Sequence, residues 1–125
     1  MAHSSPIPYY DLEAEMKHRV SKHITPNLKK FGTNKKEAIG WSHSMNKKGQ
    51  SPTLKILGCT AKEFLDHIES KFLDGMSWDN RNIWDLDHIV PISSAKDAKD
   101  VIKLCHFTNY QPLWYADNIR KSNKI

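Results

Sequence analysis

Cysteine is scarce in this chain: among 125 residues only Cys59 and Cys105 are present, and they do not form a CxxC pair. Structural zinc sites need clustered thiols or imidazoles, so the sequence predicts no structural zinc. Both cysteines stand near leucines, which predicts that they are small buried apolar side chains. Neither is expected to carry chemistry.

Long apolar runs are also missing. No stretch approaches the ~20 apolar residues that a membrane span needs, and mean hydropathy is −0.66. The first ten residues, MAHSSPIPYY, lack a basic region followed by an apolar one, which argues against a signal peptide. We therefore expect an intracellular globular protein of one domain, with no membrane partner.

Acidic residues are sparse in the first part of the chain. Residues 1–58 hold 10 Lys and Arg against 4 Asp and Glu, whereas residues 59–125 are nearly neutral, and the net charge is +5. A basic segment joined to a neutral one suggests a polyanionic partner. A solvated lysine-rich surface would give the same composition, so charge alone leaves both interpretations open.

Helical spacing is visible in the basic part. Apolar residues recur every fourth position through residues 11–24, at Leu12, Met16, Val20 and Ile24. Pro26 is expected to end this helix. A second helix is predicted over residues 34–45, capped by Thr33 or Asn34, and residues 46–52 are predicted to form a polar loop.

The second half alternates between helices and short strands. Thr60 and Glu63 form a capping-box pattern that opens a helix ending near Gly75, with an apolar stripe at Phe64, Leu65, Ile68, Phe72 and Leu73. A strand is predicted over residues 84–90, a helix over 95–104, a short extended segment within 106–114 and a basic helix over 115–124. The predicted fold class is α+β.

The stretch WDLDHIVPI places Asp87 beside His88 inside an otherwise apolar strand. Burying such groups without partners costs roughly 2–7 kcal/mol for each polar group. Strict alternation would send the two side chains to opposite faces, so we expect the strand to end or twist at this pair. Asp87 and Asn118 offer hard oxygen ligands for Mg²⁺ or Mn²⁺, and His88 can accept a proton near neutral pH.

Two further residues complete this predicted site. Asn109 is expected to hydrogen-bond the ring of His88 and select its tautomer. Asn118, Lys121 and Ser122 share one face of the last helix, which positions Lys121 to meet a phosphate. Each residue alone is more often structural than catalytic, but their combination and order predict a one-metal site for phosphodiester hydrolysis.

From about Leu57 to Ile125 the chain resembles the HNH endonucleases with the ββα-metal fold, which are common in phages and mobile elements. The matching segments are LGCTAKEFLDHIESKFLDGMSW, WDLDHIVPISS and HFTNYQPLWYADNIRKSNKI. The resemblance implies that Asp87 and Asn118 bind the metal, that His88 is the general base and that Asn109 supports it. The last position of the motif is Asn118 rather than His, an HNN variant.

The resemblance also sets expectations for the rest of the chain. It implies an HNH nuclease domain over residues 57–125, preceded by a basic helical extension over 1–56 that grips DNA. Many family members carry zinc-binding cysteine pairs that are absent here, so Leu113, Trp114 and Ile119 are expected to hold the closing helix by packing. The predicted DNA-backbone contacts are Lys29, Lys30, Lys47, Lys48, Arg81, Arg120 and Lys124.

The leading hypothesis is therefore a magnesium-dependent endonuclease that nicks double-stranded DNA as a monomer, since one site cuts one strand. A non-catalytic DNA-binding module on the same scaffold and a secreted DNase toxin are the alternatives. The target sequence and the biological role stay open. His67 and His106 lie inside the matching segments and are assigned structural roles. His3, His18, His23 and His43 are predicted to face solvent or DNA.

Overall fold

The computed structural model describes residues 9–40 and 51–122, with the side chains of Tyr9, Tyr10 and Ser122 left out. Within these ranges the fold is α+β, as predicted, with six α-helices and one two-stranded antiparallel sheet. The elements are α1 (Tyr9–Lys29), α2 (Lys35–Ile39), α3 (Pro52–Leu57), α4 (Ala61–Glu69), β1 (Trp84–His88), α5 (Ala98–Leu104), β2 (Tyr110–Trp114) and α6 (Tyr115–Ser122).

Helix α1 is longer than the sequence pattern indicated. The prediction that Pro26 ends it is wrong, because α1 continues to Lys29. Leu28 extends the four-residue apolar spacing and is fully buried. Pro26 has no N–H to donate to the carbonyl of Lys22. Because both residues lie on the exposed side of the helix, water can bond that carbonyl instead. The burial of Leu28 therefore stabilises the helix by more than the missing hydrogen bond at Pro26 costs.

One apolar core joins the two predicted regions. It contains the buried stripe of α1 together with side chains from α3, α4, β1, α5 and β2. The predicted boundary between residues 56 and 57 falls inside α3, whose Ile56 and Leu57 are both buried in that core. Cys59 and Cys105 are buried too, as predicted.

Helix α3 was not predicted, because residues 46–52 were interpreted as a loop. Ser51 caps it, with Oγ accepting a hydrogen bond from the backbone N–H of Leu54 at 3.2 Å, and Pro52 occupies the first turn. Serine followed by proline is a helix-start signal that the sequence does contain. The predicted helix over 34–45 is confirmed only in its first part: α2 has Asn34 as its cap and ends at Ile39, followed by Gly40. Residues 41–45 lie outside the described ranges.

The capping box of α4 is confirmed: the N–H of Thr60 donates to Glu63 Oε1 at 2.8 Å, and the N–H of Glu63 donates to Thr60 Oγ1 at 3.1 Å. The predicted end near Gly75 is wrong, since α4 stops at Glu69. Phe72 instead packs against Trp78 and Trp84, with ring centroids 5.0 and 5.4 Å away. Phe72 therefore lies in an aromatic cluster beyond the end of α4.

Helix α5 begins at Ala98, three residues later than predicted, with Asp97 as its cap. Strands β1 and β2 pair so that Asp87 faces Gln111 and His88 faces Tyr110. Strand β1 ends at His88, so the predicted end at residue 90 is wrong, whereas the expectation that the strand stops or twists at the Asp–His pair is confirmed. Helix α6 follows β2 directly.

The packing predicted for α6 is partly wrong. Trp114 packs against the core, but Ile119 is 61% exposed. Its neighbour Lys121 reaches back to β1 and forms polar contacts there. Helix α6 therefore depends more on polar contacts than the sequence suggested.

Two glycines offer a matched test of packing. Gly58 (φ +82°) ends α3, and a Cβ there would lie 2.7 Å from the His106 ring, whereas Gly32 (φ +74°) has nothing within 4 Å. Both substitutions to alanine carry the left-handed backbone cost of about 1–2 kcal/mol, and Gly58→Ala must also displace His106. Urea unfolding should show the larger loss of unfolding free energy for Gly58→Ala. Equal losses would contradict the packing at Gly58.

Candidate active site

The end of β1, the loop that follows it, α6 and α1 line a cavity of about 260 Å³ that is open to solvent. Residues 85–88 of β1 and 91–93 of the loop line one side, while Asn118 and Lys121 come from α6 and His23 comes from α1. The cavity therefore brings together the predicted residues Asp87, His88, Asn118 and Lys121. It also contains a histidine that the sequence reasoning assigned to the surface.

Asp87 is 7% exposed and accepts two hydrogen bonds through one oxygen. Gln111 Nε2 donates to Asp87 Oδ2 at 2.9 Å, and Lys121 Nζ donates to the same oxygen at 2.7 Å. Lys121 Nζ also donates to the carbonyl of His88 at 2.8 Å. The ammonium that was predicted to meet a phosphate thus neutralises the buried carboxylate in this structure.

The oxygen donors suit the predicted cation. Asp87 Oδ1 accepts no hydrogen bond from the residues that the structure describes, and Asn118 lines the same cavity. A carboxylate and an amide oxygen are hard ligands, and Mg²⁺ is usually held by one or two protein carboxylates with further ligands from water and phosphate. Across residues 9–40 and 51–122 there is no group of three or more His, Cys, Asp or Glu arranged to hold a metal.

His88 is 8% exposed, and its ring is enclosed on several sides. The ring of Tyr110 lies 4.4 Å away between centroids, and the ring of His23 meets it edge-on at 5.0 Å. Nε2 lies 3.8 Å from Cys105 Sγ, and Nδ1 has no hydrogen-bond partner among the described residues. Burial, followed by the charge of His23, lowers the pKa of His88 to about 4, so the ring is neutral at pH 7.

Asn109 does not make the predicted hydrogen bond to the His88 ring. Its Oδ1 accepts from the N–H of Val90 at 2.9 Å, and its Nδ2 donates to the carbonyls of Val90 and Leu104 at 3.1 and 2.8 Å. The amide has therefore used its hydrogen-bonding capacity on the backbone. Asn109 ties the segment after His88 to the end of α5, which supports the position of His88 without contacting its ring.

His23 is the residue that the sequence reasoning missed. It lies seven positions after Met16 and next to Ile24, so helical spacing does place it beside the buried stripe. Its Nδ1 lies 3.4 Å from the hydroxyl of Tyr110, and burial lowers its pKa. His23 is thus partly buried and lines the cavity, which corrects the expectation that it faces solvent.

The predicted DNA contacts have different surroundings. Lys29 and Lys30 are exposed at the end of α1, and Arg120 is exposed beside Asp117 at 3.0 Å. Arg81 Nε donates to both carboxylate oxygens of Glu15 at 2.8 and 2.9 Å, so it links the chain after α4 to α1. Lys47, Lys48 and Lys124 lie outside the described residues.

Comparison with known proteins finds two viral relatives, each named only as uncharacterized. The chain is 30% identical to "Uncharacterized protein L426" of Acanthamoeba polyphaga mimivirus over 88 residues, 66% of this chain and 39% of that protein. It is 30% identical to "Uncharacterized protein L246" of the same virus, over 86% of this chain and 53% of that protein. The chain thus spans about half or less of the length of these relatives.

No protein-family model matches the chain, and no solved structure matches it. None of the described helices combines the length and apolar character needed to cross a lipid bilayer. The chemistry of the site must therefore be argued from its own residues.

The low pKa of His88 predicts a loss of stability in mild acid. Above pH 6.5 His88 is neutral in both folded and unfolded chains, but between pH 6.5 and about 4 only the unfolded chain binds the proton. The unfolding free energy should therefore fall as pH drops through this window, by about 3 kcal/mol at most.

Urea unfolding in EDTA at pH 7.5 and pH 5.0 measures this loss. The variant His88→Gln removes the titrating group but keeps His23 and His106, whose pKa values are also lowered by burial. It should lose less unfolding free energy between the two pH values than the unmodified protein. Identical losses would show that His88 is not held neutral.

Proposed function

We propose that this chain is a metal-dependent endonuclease of the HNH type, which hydrolyses phosphodiester bonds of double-stranded DNA. The observation that carries this proposal is the cavity shared by Asp87, His88 and Asn118. A hairpin whose first strand ends in Asp–His and whose second strand leads directly into the helix with Asn118 is the order that the resemblance implies. The basic first half of the chain supports a nucleic-acid substrate.

In this proposal His88 is the general base. Its ring is neutral at pH 7, and Nδ1 is the nitrogen that no described residue engages, so Nδ1 takes the proton of the attacking water. A divalent cation such as Mg²⁺ or Mn²⁺, held by Asp87 and Asn118, would stabilise the negative charge that develops on the leaving oxygen. Asn109 keeps the segment behind His88 in place through the Val90 backbone.

Lys121 has two states in this proposal. In the structure its ammonium neutralises Asp87, and its side chain is 36% exposed. When a cation neutralises Asp87 instead, the ammonium is released and its flexible stem lets it meet a phosphate of the substrate. Lys121 thus keeps the buried carboxylate paired when no substrate is bound.

The proposed nicking activity has a direct test on supercoiled plasmid with Mg²⁺. The unmodified protein should convert the plasmid to the nicked form, and EDTA should stop it. His88→Ala should lower the cleavage rate by about 10²–10⁴-fold, because that is the typical contribution of a general base. The matched control is His18→Ala, which removes an exposed histidine of α1.

Two outcomes would contradict the proposal. If His88→Ala cleaves as fast as His18→Ala, then His88 is not the base. If the unmodified protein binds duplex DNA but does not cleave it with Mg²⁺ or Mn²⁺, then the chain is a non-catalytic DNA-binding module on the same scaffold.

The exposed lysines at the end of α1 predict a salt-dependent affinity for duplex DNA. Each phosphate contact contributes roughly −0.9 to the slope of log K against log salt concentration. Replacing Lys29 and Lys30 with Gln should therefore reduce the slope by up to about 2. The control replaces Lys99 and Lys103 of α5, which changes the charge equally outside the predicted binding segment. Equal slopes for the two double variants would show that Lys29 and Lys30 do not contact phosphates.

A further inference from the structure

Three side chains enclose the ring of His88: His23 from α1, Cys105 at the end of α5 and Tyr110 at the start of β2. We call these three residues the histidine clamp. The sequence reasoning gave none of them a role in the site, and Asn109, which was expected to hold the ring, is bound to backbone groups. Among the described side chains, these three make the ring-to-ring contacts and the hydrogen-bonding contact of the His88 ring.

Cys105 contacts the nitrogen on the buried side of the ring. Its Sγ lies 3.8 Å from His88 Nε2, and the residue is fully buried. Burial raises the pKa of the thiol to about 12, so Cys105 remains a neutral thiol. A neutral thiol is both a weak hydrogen-bond donor and a weak acceptor, and a sulfur that accepts in this dry site would favour the tautomer protonated on Nε2.

Tyr110 links Cys105 to His23. It is fully buried and packs against His88 with ring centroids 4.4 Å apart, and burial followed by the neighbouring Cys105 raises the pKa of its hydroxyl. Its hydroxyl also lies 3.4 Å from His23 Nδ1. Phe64 meets the tyrosine ring edge-on at 5.5 Å, so the hydroxyl is held in position by the core.

His23 contacts the ring of His88 from α1. Its edge-on contact with His88 has centroids 5.0 Å apart and an interplanar angle of 70°. Val20 and Ile24 on either side of it in α1 are fully buried, which fixes the helix against the core. The ring of His88 is therefore confined between elements that are far apart in sequence.

We propose that the histidine clamp positions the ring of His88 and selects its tautomer, with Cys105 accepting Nε2–H so that the Nδ1 lone pair faces the cavity. The tautomer of a neutral histidine is set by the hydrogen bond that its other nitrogen makes. The role of Nδ1 as the proton acceptor in catalysis rests on the proposed function, whereas the tautomer and the position of the ring do not depend on it. His23, Cys105 and Tyr110 are positioning residues, because they act on His88 and leave the proton transfer to it.

The tautomer is measured directly by nitrogen NMR of the imidazoles in the full chain at pH 7.5, with the His88 signals assigned by their loss in His88→Gln. The unmodified protein should show a protonated Nε2 and an unprotonated Nδ1. Cys105→Ala should shift the nitrogen signals toward a mixture of tautomers. The control is Cys59→Ala, which changes the other buried cysteine and should leave the signals unchanged.

Cleavage kinetics give a second readout. Cys105→Ala and His23→Ala should each lower kcat by roughly 10–100-fold with little change in KM, the size of effect typical for residues that orient a catalytic group. His23→Phe keeps the ring edge and should recover much of kcat. Cys59→Ala should cleave at the unmodified rate. If Cys105→Ala does not fold, Tyr110→Phe removes only the hydroxyl between His23 and Cys105 and should shift the same NMR signals.

The outcomes separate the two proposals. If the protein does not cleave DNA but Cys105→Ala changes the His88 tautomer, the clamp stands and the nuclease proposal fails. If the protein cleaves DNA and depends on His88, but the clamp variants match Cys59→Ala in both kcat and NMR signals, the clamp is overturned. A protonated Nδ1 in the unmodified protein would also overturn it.

Discussion

A buried carboxylate needs a partner of opposite charge, and the ion pair between Asp87 and Lys121 helps to fix the position of α6 against β1. The distance of 2.7 Å between Lys121 Nζ and Asp87 Oδ2, together with the bond from the same ammonium to the His88 carbonyl, joins α6 to the end of β1. Leaving such a carboxylate without its cation costs several kcal/mol. Because Ile119 is exposed, this polar contact carries part of the docking that apolar packing usually provides. Residues that line the site therefore also bind α6 to the end of β1.

The local features of the fold could be predicted from the sequence, because they depend on neighbouring residues. The capping box at Thr60 and Glu63 and the end of β1 at the Asp–His pair are both of this kind. The convergence of Asp87 with Asn118 was predicted from the ligand chemistry and order of the two residues, together with the resemblance to a family. The length of α1 was mispredicted because a local rule for Pro26 was applied without knowing that Leu28 is buried.

The environment of His88 could not be predicted, because it is made by contacts between distant parts of the chain. Cys105 was correctly expected to be buried, but burial alone does not say which polar atom lies against the thiol. His23 had a signal in its spacing on α1, yet nothing local indicates that this side of α1 faces β1. Asn109 was correctly expected to lie near His88, but its predicted hydrogen-bond partner was wrong. A side-chain amide can bond an imidazole ring or a backbone group, and the sequence does not indicate which.

The resemblance to a nuclease family covers residues 57–125, yet the site in this protein depends on residues before them. The buried stripe of α1 shares the core with Phe64, Leu65 and Ile68 of α4, so without α1 these side chains would lose the surface that covers them. Glu15 on α1 also binds Arg81 through both carboxylate oxygens, which anchors the segment leading into β1. Since His23 reaches the His88 ring only when α1 is docked, the geometry of the proposed base requires the complete core. Residues 9–40 and 51–56 of the basic N-terminal segment therefore belong to the same folded unit as the proposed site. A DNA contact made by these residues would be rigidly connected to the residues that are proposed to cut.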